Sequence, residues 1–237
     1  MKLSAPIYRL KHQARILSRT EDIPLHEALD RIAAKEGIPR WSLLAVRMSA
    51  ASTARTLFAH FTPRDLVLLG ARPGHGKTQL SLELTVEAMK SGRQGVFFTL
   101  EYSVTDILNL FKTIGEDPAV FRNAFEFDAS DSISAEYIMA RLTTVPPGTV
   151  VVIDYLQLLD QKRENPELVA QVSALKTFAN ERSLVLVFIS QIDRSFDPSI
   201  ERCPGLNHVR LPNPLDLKLF NKACFLHNGE LEVSAIS

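Results

Sequence analysis

A lysine and a threonine directly behind a glycine-rich turn, with a helical pattern after them, form an arrangement suited to gripping phosphate. The run Gly70-Ala71-Arg72-Pro73-Gly74-His75-Gly76-Lys77-Thr78 stands between the apolar stretch Leu66–Leu69 and a helical pattern over Lys77–Met89. Gly74 and Gly76 let main-chain N–H groups approach an anion, and a helix N-terminus adds partial positive charge. Lys77 then reaches the outer phosphates of a nucleoside triphosphate, and the Thr78 hydroxyl joins the shell of Mg2+. The common phosphate-loop pattern has glycine where Ala71 stands, so the match departs at one position. A chance glycine-rich turn would not require a strand before it and a helix behind it. The residues assigned to the nucleotide are Ala71, Arg72, Gly74, His75, Gly76, Lys77, Thr78 and Gln79, with ATP and Mg2+ as ligands.

Three more polar residues stand at the ends of apolar runs. Asp154 closes Val150–Ile153, Glu101 follows Gly95–Leu100, and Gln191 follows Leu184–Ser190. In an open α/β sheet, ligands collect at the carboxyl ends of the strands. Asp154 can there share a Mg2+ ion with Thr78. Glu101 can orient or deprotonate an attacking water. A bland alternative for Glu101 is capping the following helix, a task Ser103 can perform instead. Gln191 can sense the terminal phosphate and report it to the loop behind it; its bland alternative is an ordinary polar strand end.

These side chains need a scaffold. Apolar runs of strand length (Leu66–Leu69, Gly95–Leu100, Thr149–Ile153, Leu184–Ser190, Ala223–Leu226) alternate with helical segments (Lys77–Met89, Val104–Ile114, Ser134–Leu142, Glu167–Arg182). That alternation predicts βαβ units and a mostly parallel sheet covered on both faces. Asn228-Gly229 signals a tight hairpin. A proline-rich stretch, roughly 192–217 and including Pro212, reads as a long irregular loop, of a length that is usually functional or disordered. Ahead of this α/β body, residues 7–19, a segment opening at Pro24 and closed by Gly37, and a segment opening at Pro39 predict three helices, with Trp41 in their core. Met48 to Ala54 reads as a linker. The expected division is a small helical domain at 1–50 and an α/β domain at 51–237.

Composition bounds the function. The 237 residues are 46% hydrophobic, and 27 basic side chains balance 27 acidic ones. Zero net charge argues against binding polyanions with the whole surface and leaves room for a local patch. Residues 1–50 hold nine Lys/Arg against five Asp/Glu, and the first 19 carry Lys2, Arg9, Lys11, Arg15 and Arg19 with no acid. Such a helix can bind a phosphate backbone or simply solvate a surface. No apolar run approaches a membrane span, no apolar signal core opens the chain, and two cysteines make no disulfide framework. The expectation is a cytoplasmic α/β protein without a membrane partner.

Four blocks in order carry a family resemblance: Gly70-Ala71-Arg72-Pro73 with Gly76-Lys77-Thr78, then Phe97-Phe98-Thr99-Leu100-Glu101, then Val152-Ile153-Asp154-Tyr155-Leu156-Gln157-Leu158-Leu159, then Ser190-Gln191-Ile192-Asp193-Arg194. Over residues 62–195 the chain resembles the ATPase core of DnaB-type hexameric helicases, a RecA-like P-loop fold. The resemblance implies Glu101, Lys77 and Gln191 as catalytic residues and Thr78 and Asp154 as the metal-side pair. It also implies a homo-oligomer, in the form of a hexameric ring, with single-stranded DNA in its channel and a place in DNA replication. Ala71 fits that family's loop. The family's large N-terminal domain is replaced by 50 residues of other character, and its late Lys-x-Arg element is not recognisable. Arg194, Arg202 and Arg210 are the remaining candidates for a trans-acting arginine.

Three function classes stay open at this point. One is a DnaB-like ATPase. A second is an ATP-dependent switch or scaffold with little turnover, for which a solvent-directed Glu101 would speak. The third is a small-molecule kinase, disfavoured because segment 115–133 is acidic and carries only Arg122 for a phosphate lid.

Overall fold

The computed structural model describes residues 3–5, 7–160, 165–211, 213–228 and 230–236. Lys2, Pro212 and Gly229 lie outside the described residues. In chain order the elements are α1 (Ile7–Thr20), α2 (Leu25–Lys35), α3 (Trp41–Ala59), β1 (Leu66–Ala71), α4 (Lys77–Lys90), β2 (Gly95–Thr99), α5 (Val104–Ile114), β3 (Phe125–Asp128), α6 (Ala135–Arg141), β4 (Val150–Asp154), α7 (Leu168–Arg182), β5 (Val185–Gln191), β6 (Lys222–His227) and β7 (Glu230–Ala235).

The strands form a seven-stranded sheet in the order β3-β2-β4-β5-β1-β6-β7. Every neighbouring pair is parallel except the β6–β7 hairpin at one edge. The central strands are apolar throughout, as strands buried on both faces must be. Alternate side chains supply two cores. Leu66, Leu68, Phe98, Val151, Ile153, Leu186 and Phe188 face α6 and α7. Val67, Leu69, Phe97, Val150, Val152, Val187 and Ile189 face α4, α5 and the end of α3. Helix α5 opens on a capping box, in which Ser103 accepts from the Asp106 N–H and the Asp106 carboxylate accepts from that of Ser103. Ser103 therefore holds the capping role that stood as the alternative for Glu101.

Two strands have no apolar run behind them. β3 is four residues of alternating character, and β7 is largely exposed and carries Glu230 and Glu232. Both are edge strands, which need no hydrophobic continuity because one side stays in water.

The expected linker is instead helix: residues 48–54 lie inside α3. Met48, Ala50, Ala51 and Ala54 are good helix formers, which outweighs the Ser and Thr between them. The helix has two attachments. Leu44, with Trp41 and Met48, packs in a third core against Leu10, Ala14, Ala28 and Ile32 of α1 and α2. Ala54 and Leu57 pack against the sheet. The boundary drawn at residue 50 thus falls within one continuous helix.

The 192–217 stretch is irregular but not loose. Ile192 bridges Val209 antiparallel, extending the sheet by one pairing beyond β5. Phe196, Val209 and Leu215 are buried on the core, which is why a proline-rich segment still has one path. Among the described residues no helix is long and apolar enough to cross a membrane.

Candidate active site

The sheet register brings the polar strand ends to one edge. Thr99 of β2 pairs with Asp154 of β4, and Ala71 of β1 pairs with Gln191 of β5. Glu101 lies two residues past Thr99, and its N–H donates to Thr99 Oγ1 at 3.0 Å.

Between β1 and α4 the chain turns through Gly74 at φ 81° and Gly76 at φ 79°, left-handed angles that side chains with a Cβ rarely adopt. A Cβ at either position would meet nothing within 4 Å, so the space over the loop is open and the need for glycine there is conformational. Gly76 is the N-cap of α4 and no side chain caps that end. The first N–H groups of α4 therefore remain available to an anion.

Lys77 and Thr78 are buried at the start of α4. Thr78 Oγ1 donates to Asp154 Oδ2 at 3.0 Å. Asp154 is fully buried, and its Oδ1 has no partner among the described residues. Burial pushes the Asp154 carboxyl up to about 6; the Lys77 charge and the Thr78 hydrogen bond oppose the rise, and the Glu101 charge adds to it. A buried carboxylate with one free oxygen, a threonine hydroxyl beside it and an open loop in front is a donor set of the hard-oxygen kind that suits Mg2+. The residues present fit that ion.

The chain matches the DnaB-like helicase C terminal domain over residues 120–211, a span that contains Asp154 and Gln191 and begins after the phosphate loop. Replicative DNA helicase DnaB of Helicobacter pylori is 26% identical over 214 residues, covering 74% of this chain and 43% of the relative. DnaB of Mycoplasma genitalium is 27% identical over 190 residues, 65% of this chain and 40% of the relative. Among solved structures, a DnaB-like replicative helicase described with its primase interactions superposes with a TM-score of 0.60 at 21% identity, over 75% of this chain and 54% of that one. A KaiC-like protein of Pyrococcus horikoshii does so with a TM-score of 0.52 at 18% identity, over 72% and 76%. The chain resembles the DnaB-like helicase ATPase core. Its fold is RecA-like, with a helical region ahead of it. It spans about two fifths of the length of the curated DnaB relatives it matches.

Against this DnaB-like core, the sequence-assigned residues fall as follows. Ala71, Arg72, Gly74, His75, Gly76, Lys77 and Thr78 line one loop, and Asp154, Glu101 and Gln191 stand at the same sheet edge. Glu101 is exposed. Gln79 turns along its own helix and donates to Glu83 Oε1 at 2.9 Å. Of the three candidate arginines, Arg202 makes two hydrogen bonds to Glu230 of its own chain. Arg210 reaches Gln191 Oε1 at 3.5 Å, while its main-chain N–H donates to the Gln191 carbonyl at 2.9 Å. Arg194 is exposed in the loop after Gln191.

Several residues at the edge received no role from the sequence. Gln157 donates to the Arg210 carbonyl at 2.6 Å and leaves its Oε1 buried without a partner. His227 stacks on His75 with ring centroids 5.1 Å apart and planes 16° from parallel. Phe196 sets its edge against His227 at 5.1 Å, and Arg72 lies over Phe196 at 5.6 Å. Burial, then the neighbouring His227 and Arg72 charges, hold the His75 imidazole below its ordinary range. The only signal for His227 was its place at the end of a strand neighbouring the phosphate-loop strand, which needs the sheet order to be known.

Proposed function

We propose that this chain is a Mg2+-dependent ATPase of the DnaB-like type, acting on or beside single-stranded DNA as a homo-oligomer in which a hexameric ring is the natural arrangement. The observation that carries the reading is the Thr78–Asp154 contact with the unpartnered Asp154 Oδ1, set against an uncapped helix N-terminus. Gly74, Gly76 and the first N–H groups of α4 bind the phosphates. Lys77 holds the outer phosphate oxygens, and Thr78 and Asp154 hold the metal. Mg2+, when bound, neutralises charge on the transferred phosphoryl group and fixes its orientation. Glu101 orients the water, and Gln191 reads the terminal phosphate and passes its state to Arg210 and the loop beyond. Hexameric assembly would let Arg194 of one subunit serve a neighbour's nucleotide, since Arg202 and Arg210 are engaged within their own chain.

A second reading, an ATP-dependent switch with little turnover, is favoured by one observation: Glu101 is exposed. Phosphate release by the full chain, measured with Mg2+, with and without single-stranded DNA, separates the two. Turnover stimulated by DNA supports the ATPase. Tight ATP binding without release supports the switch, and neither binding nor release refutes both.

A further inference from the structure

Helix α1 has one face spent and one face free. Leu10 and Ala14 are buried against α2 and α3, with Leu17 beside them. Lys11, His12, Arg15 and Arg19 are exposed. Lys11, Arg15 and Arg19 recur every four residues, which on an α-helix places them in one stripe at steps of about 6 Å.

The neighbouring acids do not neutralise that stripe. Residues 1–50 hold five acids. Glu21 and Glu27 both pair with Arg31 of α2. Asp30 accepts from the Trp41 N–H, and Glu36 from Ser4. Only Asp22, in the turn after α1, is not so occupied. Among the described residues, no carboxylate lies within ion-pair distance of Lys11, Arg15 or Arg19. The module has thus turned its acids toward its own α2 and its caps, and left an uncompensated cationic row on α1. A membrane surface is a poor occupant, because an interfacial helix buries a broad apolar face in lipid, and α1 has Leu10, Ala14 and Leu17 packed in protein with, among the described residues, Ile16 as its exposed large apolar residue.

We propose that the exposed face of α1 is a contact site for the sugar-phosphate backbone of single-stranded nucleic acid, separate from the sheet edge that holds the nucleotide. Lys11, Arg15 and Arg19 each meet a phosphate, with His12 beside them. The proposal rests on the single-stranded-DNA part of the reading above, not on turnover.

Salt dependence tests it, with the full chain and a labelled thymidine homopolymer, by fluorescence anisotropy between about 50 and about 200 mM salt. Three phosphate contacts on a single strand contribute about 2 to the slope of log affinity against log salt. The combined variant Lys11→Gln, Arg15→Gln, Arg19→Gln should therefore flatten the slope by about 2. Over that range it should lose about 20-fold less affinity than the wild type does. Arg15→Lys with Arg19→Lys should keep the wild-type slope, because the charge remains. Basal ATP turnover should be unchanged in both. Equal slopes for wild type and the Gln variant would overturn the proposal, as would the absence of binding to the homopolymer. Stronger binding to a duplex of equal length would overturn its single-strand part. Loss of self-association instead of DNA binding would reassign the stripe to an acidic protein surface. A wild type that binds DNA with the expected slope yet releases no phosphate would sink the ATPase reading alone.

Discussion

Asp154 carries a negative charge into a place that excludes water. With its pKa raised to about 6, the native carboxyl holds its proton more tightly than the unfolded one does. Its stabilising contribution is complete below the ordinary aspartate value and is lost as pH rises through about 6, at a cost of roughly 3 kcal/mol above that. Without nucleotide or metal, the urea midpoint of the chain should fall as pH rises from about 4 to about 7, and Asp154→Asn should remove that part of the fall. A wild-type curve no steeper than the variant's would show that the site does not strain this carboxylate. Glu101 has the opposite character, exposed and close enough for its charge to act on Asp154. Glu101→Gln should leave ATP affinity intact and slow hydrolysis by about 10²–10⁴-fold, as loss of a general base does; weakened binding with normal turnover would instead mark a structural role. Asp154, Glu101 and Gln191 drew attention in the sequence because each follows a strand-length apolar run, and Lys77 and Thr78 because they close the glycine-rich turn behind one. Phe196 and His227 did not, because nothing local distinguishes them and only the sheet order brings them near the loop; Gln157 stood inside a quoted block but received no role there.

At the level of elements, the phosphate loop leans on the β6–β7 hairpin and on the loop after β5. His75, His227, Phe196 and Arg72 form a continuous contact between the three. An aromatic pair of this kind contributes roughly 1 kcal/mol, or about fivefold in affinity. His227→Ala should therefore raise KM for ATP about fivefold while kcat changes little, and His227→Phe should restore KM by keeping the stack. A change in kcat alone would disconnect the stack from binding. The buried strands and long helices were readable from apolar periodicity. β3 was not, because an edge strand can be short, charged and half wet; β7 was marked only by the Asn228-Gly229 hairpin turn, and its pairing with β6 agrees with that turn. The supposed linker failed for a different reason: small residues that look like a hinge also make good helix, and the buried Ala54 and Leu57 decide the matter.

At the scale of the molecule, α3 joins a three-helix unit to a seven-stranded RecA-like sheet and belongs to both cores. Removing residues 1–50 should leave a folded chain that still binds ATP, because Ala54 and Leu57 remain. Removing residues 1–60 takes those buried side chains away and should lower the melting temperature measurably; equal melting of the two truncations would mean the end of α3 is not part of the sheet's core. The helical unit has no counterpart in the sequence resemblance, so its basic face could be read from charge but its orientation only from packing. The proposed function depends on the loop from Ala71 to Thr78 binding a nucleoside triphosphate. The direct measurement is titration calorimetry of the full chain with ATP in Mg2+, beside Lys77→Ala. The wild type should bind one ATP per chain, and the variant should bind about a hundredfold more weakly, as loss of roughly 3 kcal/mol of charged hydrogen bonding requires. Equal affinity in the two proteins, or no binding by the wild type, would contradict the account.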